Sequence, residues 1–306
     1  MAANHDNGVR RGALVRVHDS GLKVCGRSFT REDIACIREI ISATPPPCRR
    51  EIARRTCEAL KWLRPDGRLK EMSCRVALLR LQEKGVICLP PPRRRNGNTR
   101  PYKAQRTLLE PAASLSLPVE DLTGLRLLRV ESREDSRLWN EAVSRFHYLG
   151  YKRLAGAQMR YLIMAQAELL GVIGFGASAW KVAPRDRWIG WSQREREERL
   201  HLVVNNARFL LLPWVCSRNL ASWVLSRCAR RLPPEWQQRY GYHPVLLETF
   251  VEKDRFAGTC YKAANWKYLG ETQGRGKLDR HKRYAEPVKQ VYVYPLRKDF
   301  RGFLCD

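Results

Sequence analysis

Hydrophobic and polar positions along the chain follow two successive rhythms. From residue 30 to residue 85, apolar residues recur every three or four positions, the helical period. Thr30 is a candidate N-cap with Asp33 three residues on, an approximate capping box, and Ile34, Ile37, Ile40 and Ile41 then share a face until Pro45-Pro46-Pro47 stops the helix. A second helix is predicted from about Arg49 to Trp62, with Ile52, Ala53, Thr56, Ala59 and Leu60 inward. A third runs from near Leu69 to Gly85, with Met72, Val76 and Leu79, joined by Leu78, as its apolar stripe. Val86 to Leu89 then reads as a short strand, followed by a basic turn from Arg93 to Gly97.

After residue 125 the pattern changes to alternating strands and helices. Arg137 to Phe146 has helical spacing, with Leu138, Trp139, Ala142, Val143 and Phe146 on the buried side. Tyr161 to Ala165 and Leu170 to Phe175 read as paired strands around a polar turn. Phe209 to Pro213 reads as a short, fully apolar buried strand, leading through a loop at Trp214 to Asn219 into a helix at Leu220 to Leu232. Pro244 to Val251 is the next strand and Gly258 to Asn265 a short helix; Lys267 to Gly270 and Val288 to Tyr294 supply the last strands. The fold expected is α+β: an N-terminal winged helix-turn-helix, then a mixed-sheet α/β domain. The expected boundaries are a tail at 1–26, the first domain at 27–100, a linker at 101–124 marked by the soft stretch Pro111 to Pro118, and the second domain at 125–306.

Charge sharpens the functional expectation. The 306 residues carry 57 Lys and Arg against 31 Asp and Glu, a formal charge of +26. Residues 1–106 alone hold 24 against 10, so the smaller domain is the denser cation. Such self-repulsion is offset most simply by a polyanion, and nucleic acid, DNA above all, is the favoured partner. A winged helix would put its third helix in the major groove and its basic wing along the backbone. The candidate DNA contacts are therefore Arg49, Arg50 and Arg54 on the second helix, Lys70, Ser73 and Arg75 on the third, and Arg93, Arg94 and Arg95 on the wing. The competing reading is a three-helix protein-interaction module whose cations form only a solvated face. The run from Gly274 includes Arg275 and Lys277, a further cationic stretch suited to a phosphate backbone or to a surface loop.

Membrane, disulfide and metal chemistry are not expected. No stretch approaches about 18 uninterrupted apolar residues, and Met1 to Gly12 has no apolar signal core. The ten cysteines are scattered with no C-x-x-C pair, so reduced thiols in the cytoplasm are expected.

The order of elements after residue 125 resembles the acyltransferase fold of the GNAT superfamily, so the second domain at 125–306 is expected to be GNAT-like. That resemblance implies a loop binding the pyrophosphate of acetyl-coenzyme A at a helix start, here Ser217, Arg218, Asn219, Leu220, Ala221 and Ser222, which lacks the superfamily's two glycines. It also implies a tyrosine-bearing helix, here Gly258 to Trp266, whose Tyr261 would be a general acid. From about residue 27 onward the chain resembles the Druantia anti-phage DruA family. The segments that carry the likeness are Phe146 to Gly150, Asn206 to Phe209, Leu247 to Val251, Arg255 to Trp266 and Gly270 to Gly276. This implies phage defence or mobile-element biology, with defence-system or transposon-encoded partners.

Four residues are the candidate chemistry: His147 and Tyr148 at a helix end, Glu248 in an otherwise apolar strand, and Tyr261. A carboxylate in such a strand needs a partner or a function. Glu248 is either a general base with a raised pKa or one half of a salt bridge, with Arg208 the expected partner. Trp180, Trp188 and Trp191 lie among cations and suit either base stacking or core packing. The leading expectation is a DNA-binding defence or mobile-element protein that recognises, and modifies or processes, DNA. The alternatives are an acyltransferase using acetyl-coenzyme A and a non-catalytic assembly subunit.

Overall fold

The computed structural model describes residues 21–65, 67–93, 109, 114–154, 156–274 and 286–305. It divides into two compact units, 1–100 and 101–306.

The first unit opens with a hairpin of β1 (Leu22–Val24) and β2 (Arg27–Phe29). Its two turn residues, Cys25 and Gly26, have φ of 52° and 78°, the left-handed pair that a tight two-residue hairpin requires. β1 thus lies within the stretch read as tail. Helix α1 (Arg31–Ser42) begins at the expected Thr30–Asp33 capping box, and α2 (Arg49–Ala59) and α3 (Glu71–Glu83) follow. Phe29, Ile34, Ile37, Ile52, Leu78 and Leu81 form the centre of the core.

The face of α3 differs from the expectation. Of the expected stripe Leu78 is buried, together with Cys74, Ala77 and Leu81, whereas Met72, Val76 and Leu79 are 59%, 41% and 42% exposed. The two stripes are offset by two residues, on opposite faces of the helix; both satisfy the helical period, and packing against α2 selects the one that carries Cys74 and Ala77. Val86 to Leu89 is not a strand: Val86, Ile87 and Leu89 are buried, and Arg38 donates from Nη2 to the Val86 carbonyl at 2.8 Å, so a side chain takes the backbone bond that a ladder would have used. With no strand there and residues 94–100 outside the described set, a winged helix is not seen.

The second unit is built on a seven-stranded mixed sheet with helices on both faces. In chain order it contains β3 (Arg126–Arg129), α4 (Arg133–Phe146), β4 (Met159–Ala165), β5 (Glu168–Ala177), α5 (Ala183–Ile189), α6 (Gln193–Arg199) and β6 (Val203–Leu211). Then come α7 (Leu220–Tyr240), β7 (Leu246–Glu252), α8 (Thr259–Ala263), β8 (Lys267–Glu271), β9 (Lys289–Pro295) and α9 (Phe300–Leu304). The sheet order is β3-β4-β5-β6-β7-β9-β8, and every neighbouring pair is antiparallel except β6 and β7.

Parity along β7 sorts the faces. Leu247 and Val251 join the large core with α4, α7 and Tyr261 of α8, while Leu246 joins Ile189 of α5 and Phe300 of α9 on the other side. Two expected elements are longer than predicted. The strand expected at Phe209 starts at Val203, its polar Asn205 and Asn206 having masked it. Helix α7 continues through Pro233 and Pro234 to Tyr240, because Trp236 is buried in the core and Glu235 accepts from the Tyr161 hydroxyl at 2.9 Å. Tertiary anchoring there outweighs the two prolines.

Candidate functional site: a fork between two parallel strands

β6 and β7 pair only from Val203–Leu246 to Asn206–Thr249. Past that point β6 continues along β5 to Leu211, and β7 along β9 to Glu252. The two strands therefore part, and one backbone edge of Ala207 to Leu211 has no strand partner among the described residues. Such an opening at the carboxyl ends of parallel strands is where open α/β sheets place ligands.

Polar side chains fill the crotch of the fork. Tyr261, buried at the end of the first turn of α8, donates to Asn206 Oδ1 at 2.7 Å. Asn206 Nδ2 in turn donates to the Gly174 and Arg208 carbonyls at 3.2 Å each. Thr249 donates to the Asn206 carbonyl at 3.1 Å and lies 3.4 Å from the Tyr261 hydroxyl. Tyr261 stacks on Tyr292 with ring centroids 5.8 Å apart and meets Trp266 edge-on at 5.2 Å. Burial raises its phenol well above the ordinary value, so it is a neutral donor at physiological pH.

Arg208 is the main charge of the fork. It is half-buried, its Nη1 donates to the Ala207 carbonyl at 2.6 Å, and its Nε–H is buried without an acceptor among the described residues. Among the described residues no carboxylate stands within ion-pair distance of it. A partly desolvated guanidinium with only a carbonyl partner has unused capacity for an anion.

His147 and Tyr148 come to the same place. α4 ends at His147, and edge-on packing of Phe146 against Trp214 at 5.3 Å holds that end beside the loop after β6. The Leu149 amide donates to His147 Nδ1 at 3.2 Å. Burial and the Arg208 cation hold the imidazole down at about 4, so it is neutral, with its remaining proton on Nε2. Tyr148, 37% exposed, stacks on His147 at 4.9 Å and meets Phe256 at 5.3 Å, with the Arg255 guanidinium over its ring at 4.9 Å. Burial raises the Tyr148 phenol, aided by the Glu252 charge.

Glu248 does not share this site. It follows Leu247 on β7, so it points through the sheet to the face opposite Thr249 and Tyr261. There its Oε2 pairs with Arg185 at 2.7 Å, both side chains 0% exposed, and its Oε1 accepts from the Ala179 amide at 2.8 Å. Arg185 also holds Asp186 Oδ1 through Nε and Nη2 at 2.9 and 2.7 Å, and Trp191 donates to the same oxygen. Burial pushes the Glu248 carboxyl up against the pull of Arg185. Of the two expectations for Glu248, the ion pair is what the structure shows, with Arg185 rather than Arg208 as the partner. Nothing in the strand's sequence signals Arg185, 63 residues away. The same network accounts for Trp191, whereas Trp180 is exposed and Trp188 stacks on Phe300 at 5.0 Å.

The loop from Ser217 to Ser222 was the expected pyrophosphate cradle, and its residues do not fit that group. Asn219 supplies a left-handed turn at φ 63°, but none of the six residues is a glycine, the residue that would allow close backbone approach. The segment around Leu115 lies along the loop: Cys216 donates to the Leu115 carbonyl at 2.9 Å, and Val119 donates to Arg218 at 3.2 Å. Leu220 is buried, and the Ser222 hydroxyl donates to the Asn219 carbonyl at 3.0 Å. Ser217 Oγ is buried with no hydrogen-bond partner among the described residues.

On the first unit, several of the expected DNA contacts are engaged internally. Arg49 donates to the Pro90 carbonyl at 2.6 Å, Arg54 pairs with Glu51 and Glu58 at 2.6 Å each, and Arg75 approaches Glu71 at 3.4 Å. Arg50 and Arg93 are exposed, while Lys70 and Ser73 are half-buried. Arg94, Arg95, Arg275 and Lys277 lie outside the described residues. Among the described residues no cluster of metal-ligating side chains occurs, the cysteines are free thiols, and no helix is long and apolar enough to cross a membrane.

Residues 80–286 match the family model of the Druantia protein DruA. No curated protein sequence matches the chain. Among solved structures it is similar to a spermidine N-acetyltransferase SpeG chimera from Vibrio cholerae and hSSAT, at 12% identity and a TM-score of 0.38, covering 57% of this chain and 96% of that one. A Bacillus subtilis acetyltransferase in complex with CoA gives 9% and 0.36, over 56% and 99%. An N-acetyltransferase from Staphylococcus aureus Mu50 gives 11% and 0.33, over 56% and 97%. Likeness at TM-scores below 0.5 leaves the sheet order and the fork to speak for themselves.

Proposed function

The chain belongs to the Druantia protein DruA family, and from that premise we propose that it is a nucleic-acid-binding component of cytoplasmic anti-phage defence, acting with defence-system or transposon-encoded partners. Its second unit receives an anionic part of the strand in the fork between β6 and β7. The observation that carries this reading is Arg208, a half-buried guanidinium without a carboxylate partner among the described residues. Near it stand two neutral donors, the His147 Nε2–H and the Tyr148 phenol, a set that complements negative charge. The overall charge of +26 supplies the long-range attraction.

The donor set suits recognition better than base catalysis. His147 is held at about 4, and Glu248 is committed to Arg185 across the sheet. The carboxylate near Tyr148 is Glu252, which lies 3.5 Å from Arg255. A titration of labelled DNA at several salt concentrations tests the proposal. Binding is expected to weaken by orders of magnitude over a few-fold rise in salt, because each neutralised phosphate releases counterions. Weak binding that ignores salt contradicts it.

The second reading is acyl transfer, with a GNAT-like second unit. It is favoured by the order β6, loop, α7, β7 and by Tyr261 at the mouth of α8. Calorimetric heat on adding acetyl-coenzyme A is its signature; silence at millimolar ligand removes it.

A further inference from the structure

A second cluster of guanidinium groups lies away from the fork, at an open pocket of about 600 Å3 lined by Arg129, Glu131, Arg133, Ser136, Arg160 and Arg239, among others. Arg160 is its fixed point. Its Nη1 donates to Asn140 Oδ1 and its Nη2 to Ser136 Oγ, both at 3.1 Å, and its guanidinium lies 5.3 Å from the centre of the Trp139 ring. Trp139 can lie there because residue 174, on the strand beneath it, is glycine: a Cβ at that position would sit 2.7 Å from Trp139 Cζ2. The ring is further fixed by a 3.3 Å bond from its Nε1 to the Ile173 carbonyl.

The acceptors that orient Arg160 are both neutral. They set the direction of the guanidinium and leave its charge uncompensated, and among the described residues no carboxylate pairs with it. The other charges near it, Arg153 and Arg239, are also cations, and they depress its proton affinity further after burial has done so. Glu131, the carboxylate of the lining, is already held by Arg129. Burial of a cation among like charges is unfavourable in the isolated chain; an incoming anion removes both penalties at once. A planar guanidinium held on an aromatic face and fixed by neutral acceptors is preorganised for a phosphate's oxygens.

We propose that this pocket is a second phosphate-binding site, with Arg160 as its fixed donor and Arg133 and Arg239 as flanking cations. Its ligand is a phosphate group, carried either by a nucleic-acid backbone or by a free phosphate compound. The site stands independently of the fork.

Two probes distinguish the sources: inorganic pyrophosphate by calorimetry and a labelled single-stranded oligonucleotide by fluorescence anisotropy. Each is titrated into the full chain and into Arg160→Gln and Arg239→Gln. Arg239 is exposed, so its variant tests the site without disturbing the core under Trp139. Loss of a charge-assisted contact is expected to weaken binding about ten- to a hundredfold. For the oligonucleotide, the slope of log affinity against log salt should fall by about 0.7 per lost phosphate contact. Losses with both probes identify a site open to free phosphates; losses with the oligonucleotide alone identify the backbone as ligand. A wild-type chain that binds neither probe, or two folded variants that bind both as the wild type does, overturns the proposal. Arg208→Gln, measured alongside, reports on the fork alone, so failure at one site is not read as failure at the other.

Discussion

Gly258 shows how one missing side chain builds the fork. It precedes α8 with φ at 66°, and a Cβ there would come within 2.5 Å of the Tyr292 hydroxyl. Tyr292 is the ring on which Tyr261 stacks. Gly258→Ala is therefore expected to destabilise the second unit by roughly 1–3 kcal/mol, from left-handed strain and displacement of Tyr292, measured by urea denaturation. His147 makes a pH prediction. Its folded pKa of about 4 lies below the ordinary 6.5, so the unfolded chain takes up the proton first. Stability is fully present above about 6.5 and declines as pH falls towards 4, and His147→Gln should flatten that part of the curve. The residue scale also shows the limit of reading one letter at a time. Glu248 was legible as an oddity, and the capping box at Thr30 as a cap, but the partner that explains Glu248 comes from α5, which no local pattern connects to β7.

At the scale of elements, the alternation of helices and strands in the second unit was largely legible, because its strands are short apolar runs bounded by turns. What was not legible depended on partners. The face of α3 was ambiguous because Met72, Val76 and Leu79 have the same period as Cys74, Ala77, Leu78 and Leu81, and only packing against α2 selects between them. This distinction is measurable. Leu81→Ala is expected to cost about 2–5 kcal/mol, whereas Val76→Gln should change stability by no more than about 0.5 kcal/mol, both read from chemical denaturation. Equal losses would restore the other stripe. The strand expected at Val86 failed for a related reason: Arg38 offers the backbone a side-chain partner, and hydrophobicity alone cannot show that. The fork likewise depends on register. Asn206 and Arg208 were quoted as part of a motif, but that β6 and β7 separate between them follows from pairing over four residues only.

For the whole molecule, the charge of +26 was the clearest signal in the sequence, yet it did not say where the charge is available. Much of it on α2 and α3 is neutralised locally by Glu51, Glu58 and Glu71, which moves the expectation for specific recognition away from those helices. The cations without carboxylate partners among the described residues that the structure draws attention to are Arg208 in the fork and Arg160 in the second pocket. Both are half-buried, and both are oriented by neutral oxygen atoms.

Fluorescence anisotropy of a labelled oligonucleotide, titrated with the wild-type chain and with Arg208→Gln across a range of salt, addresses the fork directly. The account predicts an affinity lower by about ten- to a hundredfold at fixed salt and a shallower salt slope, with the melting temperature little changed. An Arg208→Gln protein that is folded and binds the strand with wild-type affinity and slope would contradict it.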